Sequence, residues 1–270
     1  MNPSELKRRL RGGERIYGTL LVSDSPRWPA AVVDLGFDFV FIDTEHIAID
    51  RAPLSWMCQT YRALGLPPIV RVTAPDPYQA CTVRDGGAAG VIVPYVETPE
   101  QTRQMVGAVK YRPLKGKRLE AALQGEPIEP ELKAYLDEHN GSNTLILNIE
   151  SRPAIERLDE ILAVPGVDGV LIGPHDLSCS LGRPEKYDDP EFVRAARTIF
   201  TRARSRGLGA GIHSWMGRDR MVEWARAGAN LLIHEADLTT FAQNARRDIA
   251  HLRQTLGDSA SAVSGEAPVI

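Results

Sequence analysis

The segment TLILNIESRPAIERLDEILAVPGVDGVLIGPHDLSCSLG, residues 144–182, decides the fold. Residues 144–149 form a short, β-branched apolar run, as a strand buried on both faces requires. Pro153 suits the first turn of a helix, and Ala154, Ile155, Leu158, Ile161 and Leu162 recur at helical spacing until Pro165-Gly166 ends it. Residues 167–172 read as a second buried strand, stopped by Gly173-Pro174. Strands joined by a crossover helix run parallel, so whatever follows each strand emerges at the same sheet edge. Glu150 follows the first strand and Asp176 the second. Two carboxylates converging there repel each other unless a cation sits between them, and a divalent metal ion is the natural candidate.

The alternation extends in both directions. Upstream strands are expected at 16–22, 37–42, 68–72 and 89–93, and downstream strands at 208–212 and 230–234. Helical patterns separate them, and a last helix is expected over 238–256. The rhythm breaks at 110–143, where a Gly/Pro-interrupted piece containing YRPLKGKR precedes a polar helix at 130–138. Eight strands with helical crossovers predict an α/β fold, a (β/α)8 TIM barrel spanning residues 1–257 as one domain, with 258–270 small and polar enough for a disordered tail. A doubly wound open sheet is the alternative; the first strand lacks the GxGxxG that its dinucleotide-binding form requires.

Composition narrows the partners. A net charge of -3 and a pI near 6.1 provide no field for nucleic acid or acidic membranes. Three widely spaced cysteines without a CxxC pair point to reduced thiols and a cytoplasmic setting. No apolar run approaches the roughly 20 residues of a membrane span, and the charged N-terminus has no signal-peptide core.

In a parallel barrel, chemistry gathers at the C-terminal ends of the strands. That rim carries Asp43, Glu45 and His46 after the second strand, Arg71 on the third and Glu150 after the fifth. It continues with His175 and Asp176, His213 and Ser214, and His234, Glu235 and Asp237 after the last three strands. Each has a plainer reading: Glu150 or Asp176 as a helix cap, Arg71 as the ion-pair partner of Asp43 or Glu45, His46 or His234 as a packed ring. Their coincidence at one rim favours function. A Schiff-base aldolase is excluded because no lysine falls in an expected strand. No Gly-x-Ser-x-Gly elbow supports a serine hydrolase, and no glycine-rich loop supports a phosphorylated substrate. What remains is Mg²⁺, Mn²⁺ or Co²⁺ on Glu150 and Asp176, with Arg71 cationic and His46 the base, a set suited to stabilising the enolate of a 2-oxo acid.

DTEH after the second strand, VRV on the third, RDGGAAGVIVPYVETPE, NIES and GVDGVLIGPHDLSCSLG together resemble the HpcH/HpaI class II aldolases. The resemblance implies a metal-dependent pyruvate aldolase, converting a 4-hydroxy-2-oxo acid to pyruvate and an aldehyde. It implies Glu150 and Asp176 as metal ligands, Arg71 on the pyruvyl oxygen, and His46 as a base acting through metal-bound water. Asp43 would place His46, and Asp85 would reach the catalytic histidine across a subunit boundary. Gly173, Pro174 and His175 are expected to line the substrate pocket with Arg71. A homo-hexamer, a trimer of dimers with the last helix swapped between subunits, is also implied. Three departures, at YRPLKGKRLE, His213-Ser214-Trp215 and HEADLTTF, are expected around the acceptor end of the pocket. They motivate the same enolate site used for oxaloacetate decarboxylation or biosynthetic condensation; a silent metabolite-binding barrel is the non-enzyme alternative.

Overall fold

In the computed structural model, which describes residues 1–258, eight parallel strands pair in chain order and the last closes onto the first. They are β1 (Ile16–Leu21), β2 (Phe39–Asp43), β3 (Pro68–Arg71), β4 (Gly90–Val93), β5 (Thr144–Asn148), β6 (Gly169–Ile172), β7 (Gly209–Ser214) and β8 (Leu231–Ala236). The expected (β/α)8 barrel is therefore the observed architecture. Of the tail expected at 258–270, residues 259–270 lie outside the described residues.

Side-chain alternation divides the core in two. One set of strand residues, including Val40, Ile42, Val70, Val91, Leu145, Leu147, Val170 and Ile212, faces the surrounding helices. The other set, including Phe39, Phe41, Ile69, Ile92, Ile146, Leu171, Leu231 and Ile233, fills the barrel interior. Leu6 and Leu10, from the helix Pro3–Gly12, join that interior set and are fully buried. The helix starts where the Asn2 side chain accepts a hydrogen bond from the Glu5 N–H, at 2.9 Å. It acts as a stopper under the barrel. Gly209 leaves the room it needs, since a Cβ there would lie 2.1 Å from Leu10 Cδ1.

Three local expectations change. The crossover helix after β5 is two short helices, Arg152–Glu156 and Leu158–Leu162, with a break at Arg157 that keeps Ala154, Leu158, Ile161 and Leu162 all buried. Beyond the Gly173-Pro174 break expected after the sixth strand lies a full helix, Pro174–Ser180, started by its proline. The irregular piece after 110 contains a helix, Gly116–Leu123, whose Leu119 and Leu123 pack over Gly107. The sequence obscured it because its glycine sits at the first helical position, where it breaks nothing.

Leu10→Ala should empty part of the stopper and cost about 2–5 kcal/mol in urea unfolding. Gly209→Ala should destabilise by overpacking the same spot, and the double variant should lose less than the sum of the two.

Candidate active site

Strand alternation also delivers the polar residues. Two positions beyond the inward Phe41, Ile69 and Ile146 lie Asp43, Arg71 and Asn148, at the C-terminal ends of β2, β3 and β5. Asp43 and Arg71 stand directly opposite each other in the β2–β3 pairing. Arg71 donates from Nε to Asp43 Oδ1 at 2.8 Å and from Nη2 to Oδ2 at 2.5 Å, a buried bidentate pair. Its Nε also lies 3.1 Å from Glu45 Oε2, and that oxygen is 3.9 Å from His46 Nε2. The guanidinium carbon sits 5.5 Å from the centre of the Phe41 ring. The plain ion-pair reading of Arg71 is thus correct, and it coexists with exposure of the same side chain to the cavity.

On the opposite side, Glu150 is 5% exposed and accepts from the Tyr95 N–H at Oε1, 2.6 Å, and from Asn148 Nδ2 at Oε2, 2.9 Å. Tyr95 holds its N–H there with φ at +55°, the left-handed region that a bulky residue rarely enters. A Cβ at Gly173 would lie 2.5 Å from Glu150 Oε2 and 3.5 Å from Asp176 Oδ2, so both acids meet over a position where glycine alone leaves room. The cap readings fail. Ser151, not Glu150, caps the next helix, and the helix bearing Asp176 has no side-chain cap.

Between these two sides lies a cavity of about 180 Å³, lined by His46, Arg71, Asn148, Gly173, Pro174, His175, Asp176, His213 and Trp215 among others. It is smaller than the roughly 300 Å³ usual for drug-sized ligands, and suits a short oxo acid. Burial pushes His213 down to about 4, with the Arg71 charge adding to the fall, so the ring is neutral at physiological pH. Its Nε2 lies 3.2 Å from the Glu235 carbonyl oxygen, to which a neutral ring donates.

Two of the expected features lie away from this site within one chain. Asp85 ends the helix Pro77–Asp85, which runs from the top of β3 back to the start of β4, so it lies at the far end of the barrel. It accepts from Arg112 at 2.7 Å and is not part of this site within one chain. The YRPLKGKRLE departure is likewise remote: Tyr111 lines a different cavity, beside Asp168 at the strand starts. His213 and Trp215 do line the mouth, and Glu235 touches it through His213. Asn148 and Tyr95 escaped the sequence reading. The alternation that placed Ile146 inward could have found Asn148; Tyr95 acts through its backbone, which leaves no sequence signal.

The charge balance is uneven. Asp43, Glu45, Glu150 and Asp176 surround one guanidinium. Burial, with Asp176 and Glu45 adding and the Tyr95 and Asn148 hydrogen bonds opposing, pushes Glu150 up to about 7. Asn148 Oδ1 is buried without a hydrogen-bond partner. Among the described residues no three His, Cys, Asp or Glu side chains form a ready-made metal cage. Two acids with open positions nevertheless fit an ion such as Mg²⁺, which keeps most of its shell for water and substrate.

The model of the HpcH/HpaI aldolase/citrate lyase family matches residues 17–255. The 2-keto-3-deoxy-L-rhamnonate aldolase of Escherichia coli (strain K12) is 35% identical over 205 residues, 76% of this chain and 77% of that one. The 2-dehydro-3,6-dideoxy-6-sulfogluconate aldolase of Pseudomonas putida is 37% identical over 195 residues, 72% and 76% of the two chains. The crystal structure of a citrate synthase superposes with a TM-score of 0.80 at 29% identity, covering 94% of this chain and 99% of its own. Fold, rim and relatives agree: this chain is a carbon–carbon lyase belonging to the HpcH/HpaI aldolase/citrate lyase family.

Proposed function

We propose that the protein is a divalent-metal-dependent aldolase acting on a 4-hydroxy-2-oxo acid, giving pyruvate and an aldehyde in cleavage and joining them in reverse. The observation that carries this reading is the excess of acid at the rim, four carboxylates around Arg71, with Glu150 and Asp176 meeting over Gly173. Both aldolase relatives are named for a 2-oxo, 3-deoxy acid, which supports the substrate class. A Mg²⁺, Mn²⁺ or Co²⁺ ion held by Glu150 and Asp176 would supply Lewis-acid charge beside the 2-oxo carboxylate.

The chain's own residues supply the rest. Asp43 holds the Arg71 guanidinium in place through two hydrogen bonds, so its charge is fixed before substrate arrives. Arg71 faces the cavity and stabilises the oxygen on which negative charge develops. His46, beside Glu45 and lining the cavity, takes the proton of the 4-hydroxyl group. The O–H electrons then form the aldehyde carbonyl, and the pair from the bond between the third and fourth carbons stays on the pyruvyl fragment until its third carbon is protonated. Gly173, Pro174 and His175 form the wall against which the oxo acid lies.

The resemblance to a citrate synthase structure and the polar mouth around His213 favour a second reading, in which the same site decarboxylates oxaloacetate or condenses an enolate with another carbonyl. The assembly belongs to the proposal too. The helix Asp237–Leu256 buries only Thr239 and exposes Leu238, Phe241, Ile249, Leu252 and Leu256, as a helix exchanged within a hexamer would. Such an assembly would give Asp85 a partner site. Free Cys58, Cys81 and Cys179 suit a cytoplasmic setting, and no described helix is long and apolar enough to cross a membrane.

Glu150→Gln or Asp176→Asn should abolish the rise in Tm that Mg²⁺ or Mn²⁺ gives the wild type, which corresponds to about 2.7 kcal/mol of added stability at a hundredfold excess over Kd. His46→Ala should keep that rise and lower kcat about 10²–10⁴-fold on 4-hydroxy-2-oxo acids. Activity confined to oxaloacetate would move the assignment to the second reading, and turnover by none of these substrates would leave a silent barrel. Burial alone would raise the Asp43 carboxyl, but the hydrogen bonds and charge of Arg71 outweigh it and hold it below its ordinary value of 3.8. The pair's stabilisation is complete above that value and disappears as pH falls through the lower folded one. Asp43→Ala should therefore cost about 3–5 kcal/mol near neutrality in urea unfolding, and progressively less in strong acid.

A further inference from the structure

A second cavity, larger than the one at the rim, lies away from it. About 540 Å³ opens at the other end of the barrel, between the first helix, the end of the helix Pro99–Lys110 and the polar helix Pro130–Asn140. Its floor is Asp168, 2% exposed, which ties the starts of β5 and β6 by accepting from the Leu145 N–H at 2.9 Å. Three cations share that one carboxylate. Lys7 Nζ lies 3.7 Å from it, Arg11 Nη1 lies 3.5 Å away, and Lys110 Nζ forms the closest contact. Backbone carbonyls of Gly141, Val167 and Asn143 accept further hydrogen bonds from the same three groups but bring no compensating charge.

Elsewhere in the cleft there are two acids and one base. Lys133 is paired with Asp137 at 2.5 Å, and Glu126 stands at the exposed edge. The surplus around Asp168 is therefore local and positive. Burial pushes the Lys110 ammonium down to about 8; Asp168 opposes this and Lys7 adds to it. Like charges gathered on the floor of a concave site raise the local concentration of anions and favour binding one that reaches them. Beside them lie apolar groups, Tyr111, Ile128, Leu136 and Pro165.

We infer that this cleft is a second binding site, for a small organic anion whose carboxylate or phosphate group meets Lys7, Arg11 and Lys110 while its apolar body lies along Tyr111 and Leu136. The site is separate from the rim: β5 and β6 start at Asp168 and end at Glu150 and Asp176, so the two lie at opposite ends of the same strands.

The test titrates the full-length protein with phenyl phosphate and with benzoate at constant ionic strength, following Tm and calorimetric heat, with chloride as the control. Lys7→Ala and Arg11→Ala lie on the exposed part of the first helix, outside the catalytic machinery, and alanine favours that helix. Saturable binding by either probe, weakened about tenfold in each variant, supports the site and shows which anionic group it prefers. No saturable response beyond the chloride control overturns it, as does binding of equal strength in wild type and both variants. Unlike catalysis, this readout does not depend on a metal or on Glu150.

Discussion

Closure of the barrel imposes one constraint on everything else: along each strand, alternate residues must point inward. Phe39, Phe41, Ile69, Ile92, Ile146 and Leu171 obey it and make a solid interior. The same phase carries on past the apolar layer, so the next inward positions, Asp43, Arg71 and Asn148, inherit a direction toward the common axis. The site therefore needs no special device to gather its residues. A shift of one residue in any of these strands would turn its functional side chain out among the helices and its core side chain with it.

Electrostatics then separates what is structural from what is chemical. The Asp43–Arg71 pair satisfies itself, with two charge-assisted hydrogen bonds inside a nearly closed environment. Glu150 does not: its neutral hydrogen-bond donors, the Tyr95 N–H and the Asn148 amide, only partly offset burial and the neighbouring acids. Under the proposed reading, a cation arriving from solution would relieve that unfavourable potential. The strained backbone at Tyr95 belongs to the same picture, because it directs a peptide N–H to the oxygen opposite the one beside Asp176.

Much of this was legible in the chain itself. The strand–helix–strand reading around Glu150 and Asp176 rests on period and breaker residues, and both survive in the fold to within a residue or two. His46, Arg71, Gly173, Pro174, His175 and Asp176 do line one cavity, because strand ends are where the hydrophobic pattern stops. Less legible were features set by the backbone or by distance. Tyr95 contributes an N–H, which every residue but proline has. Asp85, expected to act across a subunit boundary, lies at the far end of its own barrel because the helix carrying it runs away from the rim. The YRPLKGKRLE stretch was expected around the acceptor pocket, yet within one chain it follows a helix that has already returned to the opposite face, and Tyr111 lines the basic cleft there.

The stopper helix has a consequence for how the chain reaches its final form. Leu10 rests over Gly209, and its carbonyl oxygen accepts from Asn230 Nδ2 at 2.8 Å and from Arg204 Nη1 at 3.3 Å. The seat for residues 3–12 is thus assembled largely from groups about two hundred positions later. Joining such distant partners carries a large ordering cost until the intervening strands are in place. The helix Pro3–Gly12 has nowhere to dock until residues 204–230 have been made and ordered.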